Sequence, residues 1–278
     1  MFQFIANIFG YLLEWLYNGI GQNYGIALIL FTIILRIILL PLTIKQQKSM
    51  KKTTALQGKM QEIQFKYKNN PELMNKEIME LYKRENLSPF SGCISSIVQI
   101  LIILSVFYLV SRPLTYMKKI DPGIIENYKN EISAENDGKI SNYYEIEIIQ
   151  KKAVQDENIK VNMDFLGLDL SKVPSQNMSD ATVYIIPLLY VVSSIFSIRM
   201  TTGKTKKKEG SNSSEPDMTQ QMNKSMSYMM PIMAVSIAFV APLGLALYWL
   251  VSNILMILER IVINKYVDSK EEKTLCLK

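Results

Sequence analysis

The chain has no histidine among its 278 residues. That removes Ser-His nucleophilic catalysis, histidine metal ligation and histidine proton shuttling together. Cysteine occurs only at Cys93 and Cys276, in segments of different character, so neither a disulfide framework nor a metal cluster is indicated. Arginine is scarce too: Arg36, Arg84, Arg112, Arg199 and Arg260 are the arginines among 31 basic residues. No Lys or Arg precedes Arg36, so the N-terminal stretch lacks the basic start of a secretory signal. No carboxylate is assigned to the interior of an apolar span. A proton-coupled transporter with an acidic relay and an aspartyl protease are therefore disfavoured. A Ser-Lys hydrolase lacks its lysine in the same places.

What is present is strongly segregated. Hydrophobic residues make up 49% of the chain and charged ones 20%, with a net charge of +6, and the two kinds occupy separate blocks. A spanning helix needs roughly 20 apolar residues. Residues 25–44, 93–111 and 181–198 each supply one. The block 226–262 would reach about 55 Å as one helix, nearly twice the hydrocarbon thickness. It contains "APLG" at 241–244, a breaker followed by a turn residue, and reads as two short spans.

These features predict an all-α polytopic membrane protein with five transmembrane helices, a cytoplasmic helical hairpin and an outer interfacial N-terminal helix. The segments run 1–22 (interfacial helix), 23–44 (first span), 45–90 (hairpin), 91–112 (second span), 113–180 (extracytoplasmic loop), 181–199 (third span), 200–225 (cytoplasmic loop), 226–262 (fourth and fifth spans) and 263–278 (cytoplasmic tail). Loop charge sets the orientation. Residues 45–90 and 199–227 are net basic and 113–182 net acidic. The positive-inside rule then places the first two in the cytoplasm, the N-terminus outside and the C-terminus inside. Residues 1–20 carry Phe2, Ile5, Phe9, Leu12, Leu13 and Leu16 at helical spacing, as an interfacial helix does. A sixth span or an uncleaved signal is the alternative there.

The hairpin has few apolar residues (Leu56, Met60, Ile63; Leu73, Ile78, Leu81), so its seam is thin. It reads equally as a solvated spacer or as a docking arm. "GKT" at 203–205 is no phosphate loop, because Ile198 stands where the earlier glycine belongs and no strand precedes it.

Polar residues within the spans fall at helical spacing: Thr32 and Arg36; Ser95 and Gln99; Tyr190, Ser193, Ser194 and Ser197; Tyr248, Trp249, Ser252 and Asn253. Each set shares one face of its helix. Converging, they form a hydrophilic cavity beside Arg36; taken singly, the serines also suit plain helix packing. Arg36 lies about 13 Å of helix before Lys45, too deep for easy snorkelling. It is expected to have no intramembrane carboxylate partner in its own chain. An unpaired arginine at the helix centre costs ~2.5–3.5 kcal/mol, which something must offset. Met218, Met222, Met226, Met229 or Met230, and Met233 recur toward the fourth span. Flexible thioethers suit either ordinary packing or a surface that contacts many apolar substrates, with Met222 and Met226 the candidates.

Four stretches in order resemble the YidC/Oxa/Alb membrane protein insertases, in a short form lacking the large periplasmic domain. They are "NYGIALILFTIILRIILLPLTIKQQKSMKK" (23–52), "LYKRENLSPFSGCISSIVQILI" (81–102), "FLGLDLSKVP" (165–174) and "MMPIMAVSIAFVAPLGLALYWLVSN" (229–253). Ser95 and Leu101 stand where the family usually has prolines, the early lipoprotein cysteine of Gram-positive members is missing, and 113–163 matches no family pattern.

The resemblance implies an insertase and chaperone, not an enzyme, in a bacterial plasma membrane, with no cofactor. A hydrophilic groove around Arg36 would receive the acidic end of a nascent membrane protein. Its expected lining is Thr32, Ser95, Gln99, Tyr190, Ser193, Ser194, Ser197, Trp249 and Asn253. The implied partners are nascent membrane proteins, the Sec translocon, the ribosome and the lipid bilayer, with no specific nucleic acid. A small transporter or channel is the competing reading; it predicts internal repeats, which the chain lacks.

Overall fold

In the computed structural model, which describes residues 2–85, 87, 91–202, 233 and 236–276, the chain is almost wholly helical. Helix α1 (Phe2–Gly19) leads into α2 (Tyr24–Lys66), α3 (Pro71–Arg84) and α4 (Ser91–Ser111). The short helices α5 (Pro113–Tyr116), α6 (Pro122–Glu135) and α7 (Tyr144–Lys152) follow, then a two-stranded hairpin, β1 (Asp164–Phe165) and β2 (Leu168–Asp169). Helices α8 (Ile185–Thr202) and α9 (Leu243–Cys276) complete the described elements.

Among the described residues, three stretches are long and apolar enough to cross a membrane: Tyr24–Leu56, Ala181–Met200 and Leu243–Ile263. The α4 stretch Ile97–Ser111 is a shorter apolar helix. Most of the expected fourth span and of the loop before it lies outside the described residues; 236–240 are helical, and the helix ends before Pro242.

The expected boundary between first span and hairpin at residue 44 is not a break in the backbone. Helix α2 is one helix of 43 residues that passes through Pro41. Proline there withholds only the amide that would bond the Ile37 carbonyl. At 1.5 Å per residue α2 is about 65 Å long, twice what a bilayer core needs, so its charged second half extends beyond the apolar layer. That half and α3 form the predicted hairpin, with Asn70 capping α3 through the Leu73 amide. The seam is thin: α3 buries no residue, and the polar ties across it include Lys59–Glu85 at 3.0 Å and Tyr82 Oη to Met60 Sδ at 3.7 Å.

Helix α1 lies against α4 and α2. It buries Ala6, Gly10, Leu13, Leu16 and Tyr17 on one face and leaves Phe4, Ile8, Tyr11 and Trp15 exposed on another. Apolar residues on both faces fit a helix with protein on one side and lipid on the other. Contact with α5 is so close that a Cβ on Gly10 would collide with the Tyr116 carbonyl oxygen.

Residues 113–180 were expected as a loop and instead form a packed subdomain. Ile125, Ile132, Ile146, Ile148, Ile149, Ile159 and Leu170 are among its buried side chains. It grips the start of α2. Asn23 accepts from the Ile26 amide and donates to the Asp164 carbonyl at 2.7 Å, and the Tyr24 amide reaches the Asn162 carbonyl. The Phe165 ring lies on Gly25, where a Cβ would meet ring carbons at 2.5 Å. The subdomain also grips the start of α9. The Leu243 and Gly244 amides, which have no partner within their own helix, donate to the Lys172 and Leu170 carbonyls at 2.9 Å.

One buried carboxylate ties this subdomain to the end of α4. Glu145 is fully buried and accepts from the Thr115 amide at 2.9 Å and the Thr115 hydroxyl at 2.6 Å. Burial pushes its carboxyl above the ordinary range, opposed by the Thr115 bonds and the nearby Arg112 charge. Glu145→Ala strands both Thr115 donors, at a cost of about 1–3 kcal/mol. Because the folded pKa is raised, the contribution of Glu145 is largest at acid pH and declines as pH rises through that pKa. Amide exchange at residues 114–117, corrected for intrinsic rates, should lose protection from acid toward neutral pH in the native chain. Glu145→Gln should show a flatter profile; identical profiles would remove Glu145 as the cause.

Candidate functional site

The first charge along the apolar stretch of α2 is Arg36, about one and a half helical turns before Pro41. Leu35 beside it is buried, while Ile37 and Ile38 are exposed, so Arg36 stands where the packed face of α2 meets the lipid-facing one. Its guanidinium reaches across to α9. Nη2 donates to the Ser252 hydroxyl at 2.6 Å and to the Ser252 carbonyl at 2.9 Å. Nη1 lies 3.7 Å from Glu259 Oε2, and the two side chains are only 14% and 11% exposed.

This corrects the expectation that Arg36 has no partner in its own chain. Glu259 lies within the apolar stretch Leu243–Ile263, close to its end. It stands seven residues past Ser252, two helical turns, and therefore on the same face. Opposite charges about 4 Å apart attract by roughly 4 kcal/mol at an effective dielectric near 20, enough to offset the ~2.5–3.5 kcal/mol cost of the buried arginine. The pair is loose, however. Glu259 Oε2 is buried and receives no hydrogen bond among the described residues.

Helix α9 packs against both α2 and α8. Consecutive residues on a helix point about 100° apart, so Ser252 and Asn253 serve different neighbours. Ser252 takes Arg36 of α2. Asn253 donates through Nδ2 to the hydroxyls of Ser193 at 2.8 Å and Ser194 at 3.3 Å on α8. Ser193 passes its own proton to the Tyr190 carbonyl at 2.9 Å. The Tyr190 and Trp249 rings lie 6.3 Å apart beside this ladder.

Of the expected lining, Tyr190, Ser193, Ser194, Trp249 and Asn253 meet between α8 and α9, while Arg36 meets Ser252 and Glu259 on another face of α9. Ser197, also on α8, is buried. Thr32 shares the face of Arg36 but gives its hydroxyl to the Leu28 carbonyl of its own helix at 2.7 Å. Gln99 is half-buried on α4, and among the described residues no hydrogen bond joins it to the cluster. The side chain of Ser95 and the residues Met222 and Met226 lie outside the described residues. Two residues were missed as site members. Ser252 is signalled by its position next to Asn253, and Glu259 by its i+7 spacing from Ser252. Cavities of about 470 and 550 Å³ lie in the loop subdomain, sharing Val161, Met163 and Asp169, and Arg36 lines neither.

A family model described as 60Kd inner membrane protein matches residues 15–271. A curated relative named membrane protein insertase YidC, from Treponema denticola, is 28% identical over 261 residues, covering 94% of this chain and 37% of that protein. The protein of the same name from Geobacter metallireducens is 29% identical over 252 residues, covering 91% and 35%. The one from Oceanobacillus iheyensis is 28% identical over 272 residues, covering 95% and 85%. The chain spans a little over a third of the first two relatives and most of the third. These matches and the apolar helices make it a multi-pass bacterial membrane protein.

The Asn253–Ser193 bond is a polar tie between α8 and α9, and hydrogen bonds between membrane helices average about 0.6 kcal/mol. A double-mutant cycle with Asn253→Ala and Ser193→Ala, read by unfolding in detergent micelles, should return a coupling of that order. Strict additivity would show that the helices hold together without the bond.

Proposed function

The chain belongs to the 60Kd inner membrane protein family, and from that premise we propose that it is a membrane protein insertase. It receives the hydrophilic end of a nascent membrane protein near Arg36 and lets the apolar part move into lipid. The observation that carries this reading is a permanent cation held at the edge of α2 by Ser252, with no close hydrogen bond on Nη1 among the described residues. An acidic residue at the bilayer centre costs ~2.5–3.5 kcal/mol. Attraction to Arg36 is of the same size, so it lowers the barrier without trapping the arriving segment. Burial of the substrate's apolar helix in lipid supplies the driving force, and no bond is made or broken.

The hydrophilic groove belongs to this proposal, with Arg36, Ser193, Ser194 and Asn253 on its wall. So does the orientation, with the N-terminus outside and the basic hairpin in the cytoplasm, where it can meet the ribosome or the Sec translocon. The orientation is checked with single cysteines at Lys59 and Lys139, after Cys93 and Cys276 are replaced. An impermeant maleimide should label only one of them in intact cells; equal labelling would overturn the topology.

The acceptor role is tested in vesicles with a single-span substrate whose tail carries Asp residues, and with the same tail changed to Asn. Arg36→Ala should slow insertion of the acidic tail roughly 10–100-fold, equivalent to about 1.4–2.8 kcal/mol, and slow the neutral tail far less. Arg36→Lys keeps the charge while losing the planar fork, and should retain most activity. Equal loss for both tails would mean that Arg36 acts on the protein's own structure and not on substrate charge.

A further inference from the structure

We propose that Glu259 is a resident stand-in for the substrate carboxylate: it compensates Arg36 in the resting protein, is displaced by an arriving acidic segment, and so sets how readily acidic segments are accepted. This rests on the reading of Arg36 as the acceptor of such segments.

The two ends of the guanidinium are held differently. Nη2 is anchored by two short hydrogen bonds to Ser252, which fix the plane of the fork. Nη1 faces Glu259 at 3.7 Å, near enough for charge compensation but beyond hydrogen-bond distance. A charge-assisted N–H to carboxylate bond normally closes to about 2.7–2.9 Å. An incoming carboxylate that reaches that distance on Nη1 makes a better contact than the one it replaces, and the Ser252 anchor need not break. Glu259 Oε2, with no donor among the described residues, loses no hydrogen bond on leaving. Glu259 also stands near the end of the apolar stretch, about 6 Å of helix before Ile263, so a displaced carboxylate is less deeply desolvated than one at mid-span. A tightly forked Arg–Glu pair would block the acceptor, and a bare arginine would be costly in the empty protein. The observed loose pair avoids both.

The role differs from a structural one in its kinetic signature. The full chain is reconstituted in vesicles of phosphatidylethanolamine and phosphatidylglycerol, and insertion of the Asp-tailed and Asn-tailed substrates is titrated. Removing the competitor in Glu259→Gln should lower the half-saturating concentration of the acidic tail about tenfold relative to the neutral one. It should also lower the acidic tail's maximal rate, because release from an uncompensated arginine is slower. Glu259→Asp keeps the charge on a shorter arm and should fall between the two. It also serves as the test should Glu259→Gln fail to fold. An acidic-to-neutral ratio within twofold of the native chain overturns the stand-in role, and so does weaker capture of the acidic tail. Arg36→Ala separates the two levels. If it inserts the acidic tail as well as the native chain, the acceptor reading itself fails. If it loses that tail while Glu259→Gln leaves the ratio unmoved, only the role of Glu259 fails.

Discussion

A permanent cation in an apolar layer has to be answered by something, and here the answer is one helix. Ser252 and Glu259 of α9 hold the Arg36 side chain, while Asn253, the next residue after Ser252, bonds to α8. Helix α9 is therefore the common partner of the other two long apolar helices. The hydrophobic effect offers little help inside lipid, where tails are as apolar as leucine, so such polar ties and close packing fix the arrangement. Where α9 sits decides where the guanidinium sits.

What positions α9 is the subdomain formed by residues 113–180. Its backbone carbonyls at Leu170 and Lys172 satisfy the first amides of α9, and its Asn162 and Asp164 carbonyls take the Tyr24 amide and the Asn23 side chain at the start of α2. Both helices that meet at Arg36 are thus registered against the same few residues around β1 and β2. Glycine at position 25 permits this, since any side chain there would collide with Phe165. The salt link of Lys172 to Asp180 at 2.7 Å, which with Thr182 holds the Asp180 carboxyl down at about 2, braces the same turn. A segment that carries no part of the proposed site therefore sets the geometry of that site.

Much of the helical layout was legible because lipid imposes a composition on its helices: long apolar runs, charged connectors, and a proline-glycine break. The polar cluster was legible through spacing, since Tyr190, Ser193 and Ser194 recur on one face and Asn253 stands among aromatic residues of the last helix. Spacing does not say where a hydroxyl points. Thr32 shares the face of Arg36 and yet bonds to Leu28 behind it, as threonine in a helix readily does. Glu259 lies inside the 226–262 block, next to Arg260 and close to its end, so the expectation of a block with no interior carboxylate overlooks it. The subdomain between α4 and α8 was read as a loop because its isoleucines alternate with many lysines and glutamates. Its core comes from contacts between short helices, which no single short helix displays.

The unbroken course of α2 has a mechanical consequence. Between Tyr24 and Arg36 the rod is clamped at both ends, by the loop subdomain and by Ser252. Beyond Arg36 comes Pro41, where one rung of the backbone ladder is missing and bending is cheapest. From there to Lys66 the rest of the helix measures about 38 Å. A bend of about 10° at Pro41 swings its tip through roughly 7 Å while the clamped section stays still. The compliance of the molecule is thereby placed outside the charged site: a bend at Pro41 moves the distal half of α2 without loosening the grip on the arginine.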